Sequence, residues 1–173
     1  MIIDAHAHIG DFRSGPDDRR LPMSWADLIA RLDEEGIDKA ILLPVYNASP
    51  EGAPLGMICN QGMSVYDQVV DAARYPDRII PFGNVDPRWD RNRPDTDFGP
   101  LFRWFVEQGC RGLGEVTANL PFDDPRVVNA FRQAGEHSLL VTIESTGFNP
   151  GHYGLQDDPG SPRLERLLQA CPG

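Results

Sequence analysis

The sequence predicts an α/β fold made of a repeated strand-helix unit around a parallel sheet. Three observations predict it. Segments rich in β-branched and apolar residues alternate with stretches of helical periodicity along the 173 residues. Several strand segments are near-continuously apolar, as strands covered on both faces are, so both faces of the sheet are expected to be buried. The 17 glycines and 16 prolines cluster between the elements, at Gly10–Pro22, Asn47–Gly56, Asp86–Gly99 and Gly147–Gly160. Most of these long loops follow a strand, and in parallel α/β folds the loops at the carboxyl ends of strands hold the ligand.

The first strand is read over Ile2–His6. Ser24 caps the helix that follows, in which Trp25, Leu28, Ile29 and Leu32 recur at i, i+3, i+4, i+7. The second and third strands are read over Ile37–Val45 and Arg78–Val85. Gly99-Pro100 opens a helix with the stripe Leu101, Phe102, Phe105, Val106. A fourth strand over Cys110–Thr117 leads to a helix opened by Asp124-Pro125. The fifth, over Leu139–Glu144, leads to one opened by Ser161-Pro162, with Leu164, Leu167, Leu168 and Cys171 on one face. The tryptophan and leucine stripes are read as core faces, because periodicity alone is what a helix packed on a sheet requires.

The strands begin near residues 2, 37, 78, 110 and 139, about 34 residues per unit. Eight such units would need ~270 residues, the usual size of a (β/α)₈ barrel. Five fit here, and Cys171-Pro172-Gly173 reads as a helix stop where a sixth strand would be due. Two architectures satisfy these readings: a five-stranded doubly wound sheet, and five-eighths of a barrel.

Length and composition give a single domain over residues 1–173, with no charge block or linker to divide it. A net charge of −10 argues against nucleic acid and anionic membrane surfaces as partners and leaves a small-molecule substrate. Cys59, Cys110 and Cys171 are odd in number and far apart, which excludes a disulfide framework or zinc ribbon. The start, Met-Ile-Ile-Asp-Ala-His, lacks the pattern of a signal peptide. A soluble, cytoplasmic protein is expected.

The first strand carries Asp4-Ala5-His6-Ala7-His8. Strand side chains alternate, so Asp4, His6 and His8 are expected on one face and Ala5 and Ala7 against the covering helices. Histidines two apart on a strand lie ~6.6 Å apart at Cα, and both rings can bend onto one ion. That is half of a metal site, placed where a strand opens onto a long loop.

At this point the sequence resembles the amidohydrolase superfamily, in particular its amidohydrolase-related branch with aminocarboxymuconate-semialdehyde decarboxylase-like enzymes. The likeness rests on Ile2-Ile3-Asp4-Ala5-His6-Ala7-His8, Asp38-Lys39-Ala40, Tyr75-Pro76-Asp77-Arg78-Ile79, Val85-Asp86-Pro87 and Gly112-Leu113-Gly114-Glu115. Asp123-Asp124-Pro125-Arg126 and Pro159-Gly160-Ser161-Pro162-Arg163-Leu164-Glu165 extend it along the chain. The resemblance implies a TIM-barrel-like (β/α) repeat with five of eight units, an incomplete barrel apparently truncated at its carboxyl end. It also implies a divalent-metal hydrolase that activates water against an amide, ester or lactone carbonyl, or, in some members, a decarboxylase (lyase). Two departures stand out. Where the family offers a strand-five histidine this chain has Glu144, and the chain ends before the histidine of strand six and the aspartate of strand eight. A truncated, non-catalytic chain is therefore a third expectation.

Glu115 and Glu144, near the ends of strands four and five, complete with His6 and His8 a candidate shell for zinc, with manganese as a harder alternative. Alternatively one glutamate ligates and the other serves as a general base. His152, in the loop after strand five, is a candidate substrate contact. His137 is read as favouring the negative end of a helix, Asp86 as capping its own turn, and Cys110 as packed and inert. Gly109-Cys110-Arg111-Gly112-Leu113-Gly114 fails as a dinucleotide loop, since its spacing is wrong and it leads into a strand. A partial barrel leaves open sheet edges, so homo-oligomers or self-association are expected.

Overall fold

The computed structural model describes residues 1–12, 19, 21–45, 63–147 and 154–172. Along them run β1 (Ile3–Ala7), α1 (Trp25–Glu34), β2 (Lys39–Leu42), α2 (Val65–Ala72), β3 (Ile79–Pro81), α3 (Gly99–Glu107), β4 (Gly112–Val116), α4 (Pro125–Glu136) and β5 (Leu140–Ile143). Two short strands, β6 (Ser145–Gly147) and β7 (Leu155–Gln156), precede α5 (Pro162–Ala170). The five predicted strands are present. Those after the first are shorter than their apolar runs, whose ends leave the ladder to enter loops.

β1 pairs with β2, β2 with β3 and β4 with β5, all parallel. β3 and β4 are joined by a parallel bridge between Gly83 and Leu113, with Gly83 N–H donating to Gly112 O (2.8 Å) and Gly114 N–H to Gly83 O (2.9 Å). Neighbours in space thus follow the order of the chain, 1-2-3-4-5. A doubly wound sheet reverses its order at a switch point. There is no reversal here, so the right-handed crossovers all bring their helices to the same face. The five units form an arc of a TIM barrel that is not closed.

Close packing explains Gly114, from the segment that failed as a dinucleotide loop, and Gly83 outside it. Gly114 has φ +139°, and a Cβ there would sit 2.6 Å from the carbonyl oxygen of Thr142 on β5. A Cβ on Gly83 would lie 2.6 Å from the ring of Phe105 on α3.

Three apolar clusters fill the space between arc and helices. Ala7, Ile9, Ala40, Leu42 and Ile79 meet Trp25, Leu28 and Leu32 of α1. Val85, Cys110 and Leu113 meet Phe102 and Phe105 of α3 and Ala130 and Ala134 of α4. Val116, Leu120 and Phe122 meet Val127 and Leu167. The helical stripes are narrower than their periodicity suggests, since Val106 and Leu168 are exposed.

Helix starts follow local chemistry, with one correction. Ser24 forms a capping box with Asp27, and Ser64 one with Asp67. Asp124 accepts from Arg126 N–H at 2.9 Å. Ser161, by contrast, lies at φ +59° and caps nothing with its side chain. The start of α5 is capped by Asp157, whose carboxylate accepts from the N–H of Arg163 (2.9 Å) and of Leu164 (3.0 Å).

A second correction concerns burial. β4 is buried along its whole length, but β1 and β5 are not: Ile3 is 42% and Leu140 68% exposed. Central strands have neighbours on both sides and edge strands do not. The alternation on β1 is broken for the same reason. Its register with β2 shifts between Asp4 and Ala7, and Ala5, expected beneath a helix, faces solvent while Ala7 is buried. Among the described residues no helix is long and apolar enough to cross a membrane.

Candidate metal centre

The carboxyl ends of β1, β2, β3 and β4 converge on His6 and His8. The His6 N–H donates to Asp4 Oδ1 (3.0 Å), which fixes the strand just ahead of the pair. The rings meet edge to face, with centroids 4.7 Å apart and planes at 81°. Their Nε2 atoms are 2.8 Å apart. His8 Nδ1 lies 2.6 Å from the carbonyl oxygen of Leu43, just beyond β2. A carbonyl only accepts, so it assigns the proton of neutral His8 to Nδ1 and leaves the Nε2 lone pair facing His6. Phe12 packs against the His8 ring at 5.2 Å between centroids. His8 is therefore held in one orientation and one tautomer, as a second-sphere carbonyl holds a ligating imidazole.

Glu115, nearly buried on β4, points its Oε2 at both rings, 3.4 Å from His6 Nε2 and 3.5 Å from His8 Nε2. Its carboxyl is held below the ordinary carboxylate range, first by the His8 imidazole against the opposing effect of burial, with Glu144 and His6 adding to it. Glu144 behaves in the opposite way. Burial first, then its hydrogen bond to Glu115 and that group's charge, push its carboxyl up. Two carboxyl groups in contact oppose each other's ionisation, and here they are pushed apart, Glu115 down and Glu144 up.

One ligand atom each from His6, His8 and Glu115 lies within 4.8 Å of the others. The fourth predicted member, Glu144, stands outside that convergent group and is hydrogen-bonded to Glu115. Two imidazole nitrogens and a carboxylate oxygen, with one ring fixed by a carbonyl, fit a zinc-type ion and leave room for further ligands. His6 is half exposed, its side chain at 49%, so the group opens to solvent on that side.

Asn84, which the sequence reading passed over, sits just after β3 and is buried. Its Nδ2 donates to the carbonyls of Pro44 (2.6 Å) and Glu115 (2.8 Å). An isolated asparagine carries no motif; the signal available was a polar side chain at the end of the apolar run Ile79-Ile80-Pro81-Phe82-Gly83. Asp86 does cap its turn, accepting from Arg88 N–H at 2.8 Å, and it also holds the buried Arg88 guanidinium through both oxygens. His137 ends α4, with Nδ1 2.9 Å from the Gln133 carbonyl and its ring edge-on to Phe102. Cys110 is buried in the core. His152 lies outside the described residues.

No family model matches the chain, and no curated protein matches it. Solved structures do. A probable 2-pyrone-4,6-dicarboxylic acid hydrolase from Acinetobacter baumannii, with citric acid bound, aligns at TM-score 0.50 and 18% identity over 86% of this chain and 50% of that one. The 5-carboxyvanillate decarboxylase of Sphingomonas paucimobilis aligns at TM-score 0.56 and 17% identity over 81% and 50%. An uncharacterized TIM-barrel protein from Bordetella bronchiseptica aligns at 0.54 and 16% over 86% and 48%. These likenesses show the fold: the five units are an arc of a TIM barrel. The chain spans about half the length of the solved structures it matches.

Proposed function

We propose that this chain is the metal-binding portion of an amidohydrolase-type hydrolase acting on an amide, ester or lactone carbonyl of a small molecule. The observation that carries the reading is the convergence of His6, His8 and Glu115 at the carboxyl end of the arc. A divalent ion held there, zinc by its donor set or manganese as the harder alternative, supplies Lewis acidity and activates water. The chain's own residues prepare the site. Leu43 O and Phe12 orient His8, Glu115 provides the negative charge, and Glu144 fixes the Glu115 carboxylate by a hydrogen bond.

Decarboxylation is the second reading, favoured by the likeness to a 5-carboxyvanillate decarboxylase. A third, a non-catalytic chain, is favoured by Glu144, which stands where the resemblance implies a strand-five histidine ligand. We further propose that residues 1–173 are one domain from the amino-terminal part of a longer barrel, and that they work in the cytoplasm. The free thiols of Cys110 and Cys171 suit that setting.

Turnover assays on the zinc- and manganese-loaded chain, with panels of lactones, esters, amides and aryl carboxylates, test the reading. Hydrolysis that is lost in Glu115→Gln supports it. Release of carbon dioxide instead selects the second reading, and bound metal without turnover selects the third.

A further inference from the structure

We propose that Asn84 is a positioning residue that fixes the distance between the His8 side and the Glu115 side of the metal centre; this rests on the metal-site reading above. β2 and β4 are not neighbours, because β3 runs between them. β3 is tied to its two neighbours near the site by Phe82 N–H to Leu42 O (3.1 Å) and Gly114 N–H to Gly83 O (2.9 Å). One residue further on, the side chain of Asn84 takes over. Its amide nitrogen has two hydrogens, and each has a separate acceptor: Pro44 O at 2.6 Å on the β2 side and Glu115 O at 2.8 Å on the β4 side.

Both acceptors lead straight to donor groups of the centre. Pro44 follows Leu43, whose carbonyl holds His8 Nδ1 at 2.6 Å. The other acceptor is the main chain of Glu115 itself. One planar group, 2% exposed, therefore ties the anchor of an imidazole to the backbone of a carboxylate across an intervening strand. Aspartate has the same shape but, ionised, offers two acceptors where two donors are needed, so it turns both ties into repulsions.

Co²⁺ is the probe. Its affinity is measured by calorimetric titration and its coordination by the visible absorption of the bound ion, in the wild-type chain and in Asn84→Asp. Gln133→Leu is the control for a purely structural loss. Gln133 is also buried and hydrogen-bonded at both ends of its amide, but to Phe98 N–H (2.8 Å) and Thr96 O (2.8 Å), away from the centre. The expected result is a ten- to hundredfold weaker affinity with altered visible bands in Asn84→Asp. Gln133→Leu lowers the melting temperature and leaves affinity and bands unchanged. Wild-type affinity and spectrum in a folded Asn84→Asp overturn the proposal while the metal reading stands. No binding by the wild-type chain overturns the metal reading, and the proposal with it. Should Asn84→Asp not fold, Asn84→Ser, which keeps one donor, gives the same readout. Weakened affinity in it supports the proposal, and either wild-type affinity or failure to fold assigns Asn84 to the fold alone.

Discussion

His8 is restrained at Nδ1 by Leu43 O and across its face by Phe12, while His6, its partner two residues earlier, is half exposed. The pair was legible in the sequence because strand alternation alone places both imidazoles on one side. Glu115 was legible as a carboxylate at the end of an apolar strand. The different fates of the two glutamates were not. Which carboxyl is pushed down and which up depends on contacts among β1, β4 and β5, and these arise only when the sheet curves. Cys110 gives a direct check at this scale. Burial pushes its thiol up to about 12, so at about pH 8 it holds its proton and is a poor nucleophile. Treatment of the folded chain with iodoacetamide, followed by peptide mapping, leaves Cys110 unmodified until denaturant is added. Labelling of Cys110 in the folded chain would contradict its place in the core.

Helix α5 shows how an element can be correctly found and wrongly explained. Ser161-Pro162 marks its start, but the serine sits in a left-handed conformation and Asp157, four residues upstream of it, does the capping. No local pattern announces a cap that reaches in from outside the turn. Burial works to raise the Asp157 carboxyl. Hydrogen bonds from the N–H groups of Arg163, Leu164 and Asp158 outweigh it, so the group lies below the ordinary carboxylate range. A folded-state value lower than the unfolded one makes the stabilisation complete above the unfolded value, ~4, and removes it as pH falls through the lower folded value. Urea denaturation near neutral pH should show Asp157→Ala losing ~1 kcal/mol, and Ser161→Ala changing stability by less than ~0.5 kcal/mol. The reverse ranking would return the cap to Ser161. Asp157→Ala should also flatten the acid limb of the stability profile.

The number of βα units was legible from the spacing of the apolar runs, but their order in space was not. Length alone suited a doubly wound sheet as well as an arc of a barrel. Order is decided by pairings such as Gly83 with Leu113, between residues thirty apart, and no local pattern encodes them. The expectation that both faces of every strand are covered failed at β1 and β5 for the same reason, since coverage belongs to the arc as a whole. Those strands leave apolar edges. Beside β5 an apolar groove of about 430 Å³ is lined by Phe131, Leu139, Val141, Ile143, Leu164 and Leu167. Exposed edges of this kind invite pairing with a second copy. Light scattering at rising concentration should show self-association of the 173-residue chain, reduced by Leu140→Lys. A monomer at every concentration would contradict it.

The function proposed for this chain requires that His6, His8 and Glu115 share one divalent cation. Diffraction at the zinc absorption edge, from crystals grown with Zn²⁺, tests it most directly. The predicted result is an anomalous peak within coordination distance of His6 Nε2, His8 Nε2 and a Glu115 carboxylate oxygen. Crystals that show no peak among these three side chains, with the imidazoles still hydrogen-bonded to each other, would contradict it.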